Sequence, residues 1–183
     1  MKKFEEKTIK TDDIYNGKVV QLQVDDVTLP NGEHAKREII KHPGAVAVIA
    51  LTKDNKIVFV EQYRKPLEKS LIEIPAGKLE EGEAPEVTAV RELEEETGYT
   101  TNELSFVTSF YTSPGFADEL MYIYITDKLE ILEETVDGDD DEFVELVELT
   151  LDEAKEYVEE EHIHDAKTNY AILYLHALEA SRT

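Results

Sequence analysis

The stretch GKLEEGEAPEVTAVRELEEETGY, residues 77–99, decides the fold of this chain. Pro85 suits the first turn of a helix, where its missing N–H costs no hydrogen bond. Gly98 suits the left-handed residue just past a helix end. Three apolar residues recur between them at three-residue spacing: Val87, Val90 and Leu93. The pattern predicts one helix whose apolar stripe packs on a core.

Three glutamates of this helix share one face, away from the predicted stripe. Glu92, Glu95 and Glu96 stand at positions i, i+3 and i+4, which are neighbours on a helix surface. Carboxylates so close repel one another unless a cation joins them, and a hard divalent cation takes oxygen ligands of this kind. The alternative is a solvated acidic helix in which Arg91 is only a chance i+4 partner of Glu95.

The same stretch resembles the Nudix box, G-x5-E-x7-R-E-U-x-E-E-x-G-U, where U is a bulky aliphatic residue. Eight positions match at the required spacing: Gly77, Glu83, Arg91, Glu92, Leu93, Glu95, Glu96 and Gly98. The final position departs from the pattern, because Tyr99 stands where an aliphatic residue is usual. Since so many fixed positions are matched, the motif is far more specific than a lone glycine pattern.

The resemblance implies a metal-dependent hydrolase of nucleoside diphosphates linked to another group. By matching position it implies that the metal ligands are Glu92, Glu96 and the carbonyl of Ala76, with Glu95 as a further ligand. Arg91 would then orient the carboxylates, and Glu83 would support it. Oxygen ligands suit Mg²⁺, or Mn²⁺, rather than zinc, and two or more ions would bind together with the substrate.

The composition limits the other classes of function. The chain has 183 residues, 41% of them hydrophobic, which supports one substantial domain, and it contains no cysteine. Its formal net charge of −23 repels nucleic-acid backbones. No apolar run is long enough to span a membrane, and the N-terminal MKKFEEKTIK lacks an apolar signal core. We expect a cytoplasmic protein that binds neither nucleic acid nor membrane.

Residues 1–42 are predicted to form a separate β element. Residues 19–24 and 36–40 have strand composition, and Asn31-Gly32 between them is a two-residue hairpin signal. Such a hairpin is marginal alone, so it must pack on its own domain or on a second copy of the chain. We expect it to build a homodimer.

Residues 43–183 are predicted to mix strands with three helices in an α/β arrangement. Strands are expected at residues 45–51, 57–60, 71–74, 104–111, 120–125 and 144–149. Thr150 with Glu153 predicts a capping box, and Asp165 predicts the cap of a last helix. That last helix has a predicted apolar stripe: Tyr170, Leu173, Tyr174 and Leu178. The Nudix resemblance implies that this region is the α/β/α sandwich of the family, with a mixed sheet.

Within the family the chain is most similar to the ADP-ribose pyrophosphatases. Pro114 lies sixteen residues after Gly98 in Ser-Pro-Gly, a marker of that subgroup, and the N-terminal β element also precedes the Nudix domain there. The segments REIIKHPGAVAV, EQYR and DAKTNYAILYL look similar as well. The resemblance implies hydrolysis of ADP-ribose to AMP and ribose 5-phosphate. A nucleotide sugar, a dinucleotide or mere binding of ADP-ribose are the alternatives.

Five further residues are candidates for binding the substrate. Arg37 and Arg64 are candidates for contacts with phosphate or ribose, because arginine can bind phosphate bidentately, although each has many carboxylates available as ordinary partners. Tyr15 or Phe116 can stack on adenine, although core packing is the commoner role of a single aromatic residue. Pro114 can fix the loop that borders the terminal ribose.

The general base is expected outside the box, because metal ligation lowers the basicity of the box glutamates. The acidic loop 137–142 precedes a predicted strand, and a glutamate in the corresponding loop has this role in the subgroup. Glu142 is the first candidate and Asp140 the second, with Glu119 next if neither acts. The alternative is that the loop is a solvated acidic run.

Overall fold

A computed structural model describes residues 3–133 and 143–181. Within them the chain divides into two compact units. The first extends to Gly44 and includes Phe110–Met121; the second comprises Ala45–Ser109 and Tyr122 onward.

The strands are β1 Lys7–Asn16, β2 Gln21–Thr28, β3 His34–Lys41, β4 Ala45–Ala50, β5 Ile57–Arg64, β6 Lys69–Glu73, β7 Ala76–Lys78, β8 Tyr99–Thr100, β9 Ser105–Tyr111, β10 Leu120–Thr126, β11 Glu130–Ile131 and β12 Val144–Leu149. The helices are α1 Pro85–Thr97, α2 Leu151–Glu159 and α3 Ala166–Ala180.

The first unit is a three-stranded antiparallel sheet in the order β1-β2-β3. Strand β1 has no regular alternation of apolar residues, and the sequence analysis did not predict it. On the neighbouring strand β2, the side chain of Asp25 is buried, with 6% of the residue exposed. Its carboxylate accepts hydrogen bonds from Thr8 and Thr11 of β1 and from Gln23 of β2. These neutral donors satisfy the buried charge and tie β1 to β2.

The hairpin predicted at Asn31-Gly32 is present, but its turn is longer than the expected two residues. Thr28 pairs with His34, and the N–H of Leu29 donates to the carbonyl of Glu33 at 2.8 Å. The N–H of Gly32, at φ 90°, donates to the carbonyl of Leu29 at 2.9 Å. A type I turn followed by a left-handed glycine explains this geometry, because the proline at position 30 favours the first central position of such a turn.

Residues 110–121 join this first unit through β3. The N–H of Ile40 donates to the carbonyl of Phe116 at 2.7 Å, and the N–H of Asp118 donates back to Ile40 at 3.2 Å. Asp118 also accepts from the backbone N–H of His42 at 2.9 Å and forms an ion pair with Lys41. The loop that contains Pro114 is therefore fastened to the end of β3.

The second unit packs helices on small sheets. The sheets have the strand orders β7-β4-β10-β9, β12-β5-β6 and β11-β8. Strand β4 is buried at all six positions, which confirms the strand predicted from its continuous apolar run. The core joins β4 and β5 to α1 and β10: Val46, Val48, Ala50, Val58, Ala89, Leu93, Tyr124 and Leu129.

Helix α1 has the predicted ends but not the predicted buried face. Pro85 opens it, and Gly98 ends it at φ 70°, donating its N–H to the carbonyl of Glu94 at 3.0 Å. Val87, however, is 53% exposed, and only Leu93 of the predicted stripe is fully buried. The buried residues are Thr88, Ala89, Glu92, Leu93 and Glu96. Small residues on this face let the helix approach the strands closely, so two carboxylates are buried with the core side rather than away from it.

The two C-terminal helices begin as predicted. Thr150 and Glu153 form a capping box at α2, and the Asp165 side chain accepts from the N–H of Thr168 at α3. The predicted stripe of α3 was wrong at Leu173, which is 71% exposed. The buried residues of α3 are Thr168, Ala171, Ile172 and Leu175. The buried face is set by where α3 meets β6, since the Thr168 hydroxyl accepts from the N–H of Ile74 at 3.1 Å.

Tyr99, the residue that departs from the box pattern, joins the end of α1 to β12. Its ring packs against the core of the second unit, and its hydroxyl donates to Oε1 of Glu148 at 2.7 Å. This hydrogen bond, with burial and the negative charge of Glu148, raises the pKa of Tyr99. An aliphatic residue would supply the packing but not the bond to β12.

We expect Tyr99→Phe to lower the free energy of unfolding by about 1 kcal/mol, because it removes one partly buried hydrogen bond. Tyr63→Phe is the matched control, since Tyr63 is 55% exposed. Urea unfolding at pH 7.5 measures both. A raised folded pKa means that the contribution is complete below the ordinary tyrosine pKa of about 10 and is lost as the pH rises through the folded value. Equal stability of the two variants would contradict the role given to Tyr99.

Candidate active site

The site is built where β7 meets the buried face of α1. Strand β7 pairs with β4 through Ala76 and Ala47, and through Gly77 and Val46. Just before it, the carbonyl of the proline at position 75 accepts from the N–H of Val48 at 2.9 Å. The backbone at the start of the box is therefore fixed by a fully buried strand.

Gly77 makes room for a carboxylate. A Cβ built on Gly77 would lie 1.9 Å from Cδ of Glu92, so any larger residue would collide with that side chain. Glu92 is 8% exposed. The glycine is required here by the close approach of the helix, because the Glu92 carboxylate occupies the place that a side chain of β7 would need.

Glu96 lies one turn further along α1, beside the neighbouring residue of β7. Its Oε2 accepts from the backbone N–H of Ala76 at 2.9 Å, and the residue is 8% exposed. The structure thus brings together Glu92, Glu96 and Ala76, the three positions to which the family resemblance assigns metal ligation. Burial of two carboxylates in one place requires compensating donors or positive charge.

Arg91 supplies that charge. Its Nη1 lies 2.8 Å from Glu95 and 3.0 Å from Glu92, and its Nη2 lies 3.4 Å from Glu83. Burial alone would lower the pKa of Arg91, but the charges of Glu92 and Glu95 and the hydrogen bonds to Glu83 and Glu95 raise it overall. Arg91 is therefore more than a chance i+4 partner of Glu95, because it joins three glutamates of the box.

Glu83 is held in turn by the helix that it precedes. Its Oε2 accepts from the Thr88 hydroxyl at 2.7 Å. This bond, and then the bond and charge of Arg91, lower the pKa of Glu83 against the effect of burial. The arrangement orients Arg91 from both sides of its guanidinium.

The donor chemistry of this cluster fits a hard divalent cation. Its atoms are the carboxylates of Glu92, Glu95 and Glu96 and the backbone of Ala76, all of which offer oxygen. In the described part of the chain no three carboxylate or imidazole side chains converge closely enough to hold a metal ion. The glutamates instead accept from Arg91 and from the N–H of Ala76. These residues would hold the ion, and the cradle at Gly77 keeps one of the carboxylates beside β7.

A further buried carboxylate lies at the end of β6. Glu73 is 3% exposed. One of its carboxylate oxygens accepts a hydrogen bond from Nε of Arg64 at 2.7 Å, and the other accepts from Nη2 of Arg64 at 2.9 Å. Lys167 of α3 forms an ion pair with the same carboxylate and a 3.1 Å pair with Asp165. Burial raises the pKa of Glu73, but the bonds and charges of Arg64 and Lys167 lower it overall.

The sequence predicts a role for Arg64 but not its partner. Arg64 and Glu73 lie on adjacent antiparallel strands but are not opposite each other, because the register pairs Arg64 with Lys69 and Glu73 with Val60. The Arg64 side chain therefore extends along β6 to reach the carboxylate of Glu73. One signal was available. Glu73 is a charged residue within the apolar segment 71–74, where a buried side chain must have a partner.

The remaining candidates for substrate binding lie in the first unit. Arg37 donates to both oxygens of Glu6, at 2.8 and 2.6 Å, which is the surface ion pair named above as its alternative. Tyr15 is 60% exposed and Phe116 is 58% exposed, so neither ring is part of a core within the described residues. Pro114 is exposed in the loop fastened to β3.

The preferred candidates for the general base, Glu142 and Asp140, lie outside the described residues. Glu119, the third candidate, lies within them. Its Oε2 accepts from the Thr112 hydroxyl at 2.5 Å, and its Oε1 lies 3.7 Å from Nδ1 of His42. Glu119 is therefore engaged within the first unit.

A separate cavity of about 500 Å³ lies elsewhere in the second unit. Its lining includes Leu51, Ile57, Leu175 and Leu178, with carboxylates at its rim, and none of the eight matched positions of the box. The buried carboxylates and arginines, rather than this cavity, mark the candidate active site, because reactive chemistry requires polar groups that converge.

Known proteins resemble this chain in sequence and in fold. The NUDIX domain family matches residues 41–169. A protein of Bacillus methanolicus named methanol dehydrogenase activator is 63% identical over 98% of this chain and 97% of its own. A protein of Bacillus subtilis named ADP-ribose pyrophosphatase is 58% identical over the same shares. A crystal structure of an ADP compounds hydrolase superposes with a TM-score of 0.84 at 19% identity, covering 97% of this chain and 96% of that one, which is a likeness of fold.

Proposed function

The chain belongs to the Nudix family of hydrolases, and we propose that its substrate is ADP-ribose, which it cleaves to AMP and ribose 5-phosphate. The observation that carries this proposal is the complete cluster of Arg91, Glu92, Glu95 and Glu96 around the Gly77 cradle. The relative from Bacillus subtilis supports ADP-ribose as the substrate, because the two chains align over nearly their whole lengths. A domain that only bound ADP-ribose would have no need of this cluster.

Nudix hydrolases use divalent metal ions, and we propose Mg²⁺, with Mn²⁺ as a substitute. Glu92, Glu96 and the Ala76 carbonyl would hold it, with Glu95 beside them. When bound, such ions neutralise a diphosphate and lower the pKa of water. Arg91 holds the glutamates in place and offsets their mutual repulsion while the site is assembled.

We also propose which residues contact the substrate. Arg64 and Arg37 are proposed to bind the phosphates, and Tyr15 or Phe116 to stack on adenine, which their exposure allows. Pro114 is proposed to shape the loop at the terminal ribose.

None of the helices in the described part of the chain has the length and apolar content needed to cross a membrane. The cytoplasmic location expected from the composition stays a prediction.

A second candidate function is activation of an alcohol dehydrogenase, which the name of the Bacillus methanolicus relative favours. The two candidates share one chemistry if the activator cleaves a nicotinamide dinucleotide, since the diphosphate of that molecule, like that of ADP-ribose, joins AMP to a ribose 5-phosphate unit. The rate of methanol oxidation by a purified dehydrogenase, with and without this protein, tests it. No change in that rate would remove this candidate and leave the first unaffected.

We expect ADP-ribose to give AMP and ribose 5-phosphate only when Mg²⁺ is present, and dGTP to be a poor substrate. Glu96→Gln should lose at least ~10²-fold in rate, the order expected when a charged stabilising group is removed. Glu81→Gln is the matched control, because Glu81 is exposed and outside the fixed positions of the box. Chromatography of products from ADP-ribose, ADP-glucose, a dinucleoside polyphosphate and dGTP measures all of this. A clear preference for dGTP would contradict the substrate class, and normal turnover by Glu96→Gln would contradict the metal site.

We propose Glu142 as the general base, ahead of Asp140, on the basis of the sequence alone. Glu142→Gln should lower kcat with little change in the dependence on Mg²⁺, and it should remove the acidic limb of the pH–rate profile, because the base must be deprotonated to act. Asp140→Asn is the companion variant. Normal kcat and an unchanged profile in both variants would exclude this loop as the source of the base.

We propose a homodimer built through residues 1–42, supported by the exposure of β1. Ile9 and Ile14 are each 57% exposed on this edge strand, and exposed strand edges favour pairing with another chain. Light scattering should give twice the 20.9 kDa chain mass. Ile9→Lys with Ile14→Lys should give the monomer, while Ile131→Lys, at a residue that is 79% exposed in the second unit, should not. A wild-type monomer at micromolar concentration would contradict this interface.

A further inference from the structure

Glu73 is a buried carboxylate with two cationic partners. It is 3% exposed, which makes an unpaired negative charge there very costly. Arg64 bonds both of its oxygens, and Lys167, whose side chain is 11% exposed, is paired with the same group. Lys167 also pairs with Asp165 at 3.1 Å, so two cations and two carboxylates meet here and their charges balance.

Two parallel hydrogen bonds to Glu73, called the fork below, fix the orientation of Arg64. Nε and Nη2 donate to the two carboxylate oxygens, at 2.7 and 2.9 Å, so the guanidinium plane is set by the carboxylate plane. Nη1 takes no part in this fork. The Arg64 side chain is 38% exposed although its partner is buried, so the group is held rigidly at the protein surface with one edge toward solvent.

The surroundings of Arg64 connect it to the box. The pKa of Arg64 is raised first by the hydrogen bond to Glu73, and the charges of Glu96 and Asp165 also contribute. Strand β6, which carries Glu73, ends three residues before Ala76, so the fork and the proposed metal site share one short piece of backbone.

We propose that Glu73 is a positioning residue, which holds the guanidinium of Arg64 in the orientation that binds the diphosphate of the substrate. The inference rests on the proposed function, because it requires a diphosphate substrate. The role differs from that of a structural ion pair, since loss of Glu73 then weakens binding of ADP-ribose in protein that is still folded.

The test measures binding apart from catalysis. Calorimetric titration with ADP-ribose in metal-free buffer gives Kd for wild type, Glu73→Gln, Arg64→Gln and the double variant, with circular dichroism to establish that each is folded. We expect roughly tenfold weaker binding by Glu73→Gln, the order of one charge-assisted hydrogen bond. The double variant should bind no more weakly than Arg64→Gln alone, because Glu73 acts through Arg64. Additive losses, or wild-type affinity in folded Glu73→Gln, would overturn the proposal.

Two further variants separate positioning from stability. Lys167→Met disturbs the same buried network but leaves the fork, so it should lower the melting temperature and keep Kd within about threefold of wild type, a difference well under one charged hydrogen bond. Arg64→Lys keeps the charge but loses the two parallel hydrogen bonds, so it should weaken binding roughly tenfold. This expectation can be tested even if Glu73→Gln fails to fold. Wild-type affinity in Arg64→Lys would overturn the proposal.

Steady-state kinetics then distinguish this inference from the proposed function. Glu73→Gln, Arg64→Gln and Arg64→Lys should raise KM, while kcat changes less. The measurement uses whichever diphosphate the wild type hydrolyses best. If the wild type cleaves another diphosphate rather than ADP-ribose, the substrate assignment is wrong, and the effect on KM still tests Glu73. If the wild type cleaves ADP-ribose and folded Glu73→Gln has a normal KM, the Glu73 inference alone is wrong.

Discussion

The structure depends on the interaction of Arg91 with the glutamates of α1. Helices normally bury apolar side chains, yet α1 buries Glu92 and Glu96 on the side that meets the strands. Buried carboxylates either acquire partners or become protonated. The partners here are the guanidinium of Arg91 and the backbone N–H of Ala76. Every neighbouring feature follows from placing them: the glycine at 77, the pairing of β7 with β4, and the small residues that let α1 approach.

The second unit applies the same solution twice. At α1, Arg91 contacts Glu92 and Glu95, and at the end of β6, Arg64 bonds both oxygens of Glu73, which also pairs with Lys167. Breaking such a pair on one side leaves a buried charge, which costs far more than the pair contributes when intact. In a chain of net charge −23, these arginines place positive charge beside the buried carboxylates.

Spacing in the sequence was a good guide to what is local, and a poor one to what is tertiary. Pro85, Gly98 and the caps at Thr150 and Asp165 act on neighbouring backbone, so they could be predicted. The buried faces of α1 and α3 depend on which strands they meet, and Val87 and Leu173 were therefore misassigned. The approach of a box glutamate to Ala76 was predictable because the motif has fixed positions, whereas Arg64 and Glu73 are not opposite each other on β5 and β6 and meet only through a long side chain.

The burial of each arginine decides which one can exchange its partner for a phosphate. Arg91 is held by three glutamates beside buried carboxylates, so releasing it would leave those charges uncompensated. Arg37 pairs with Glu6 where both side chains are about one-third or more exposed, and such pairs contribute only about 0–1 kcal/mol. An incoming phosphate can therefore replace Glu6 at little cost. Arg64 need not exchange at all, because its fork with Glu73 leaves Nη1 outside the pair. The three arginines thus differ in how they are held: Arg91 by three glutamates, Arg64 by one buried carboxylate and Arg37 by an exposed ion pair.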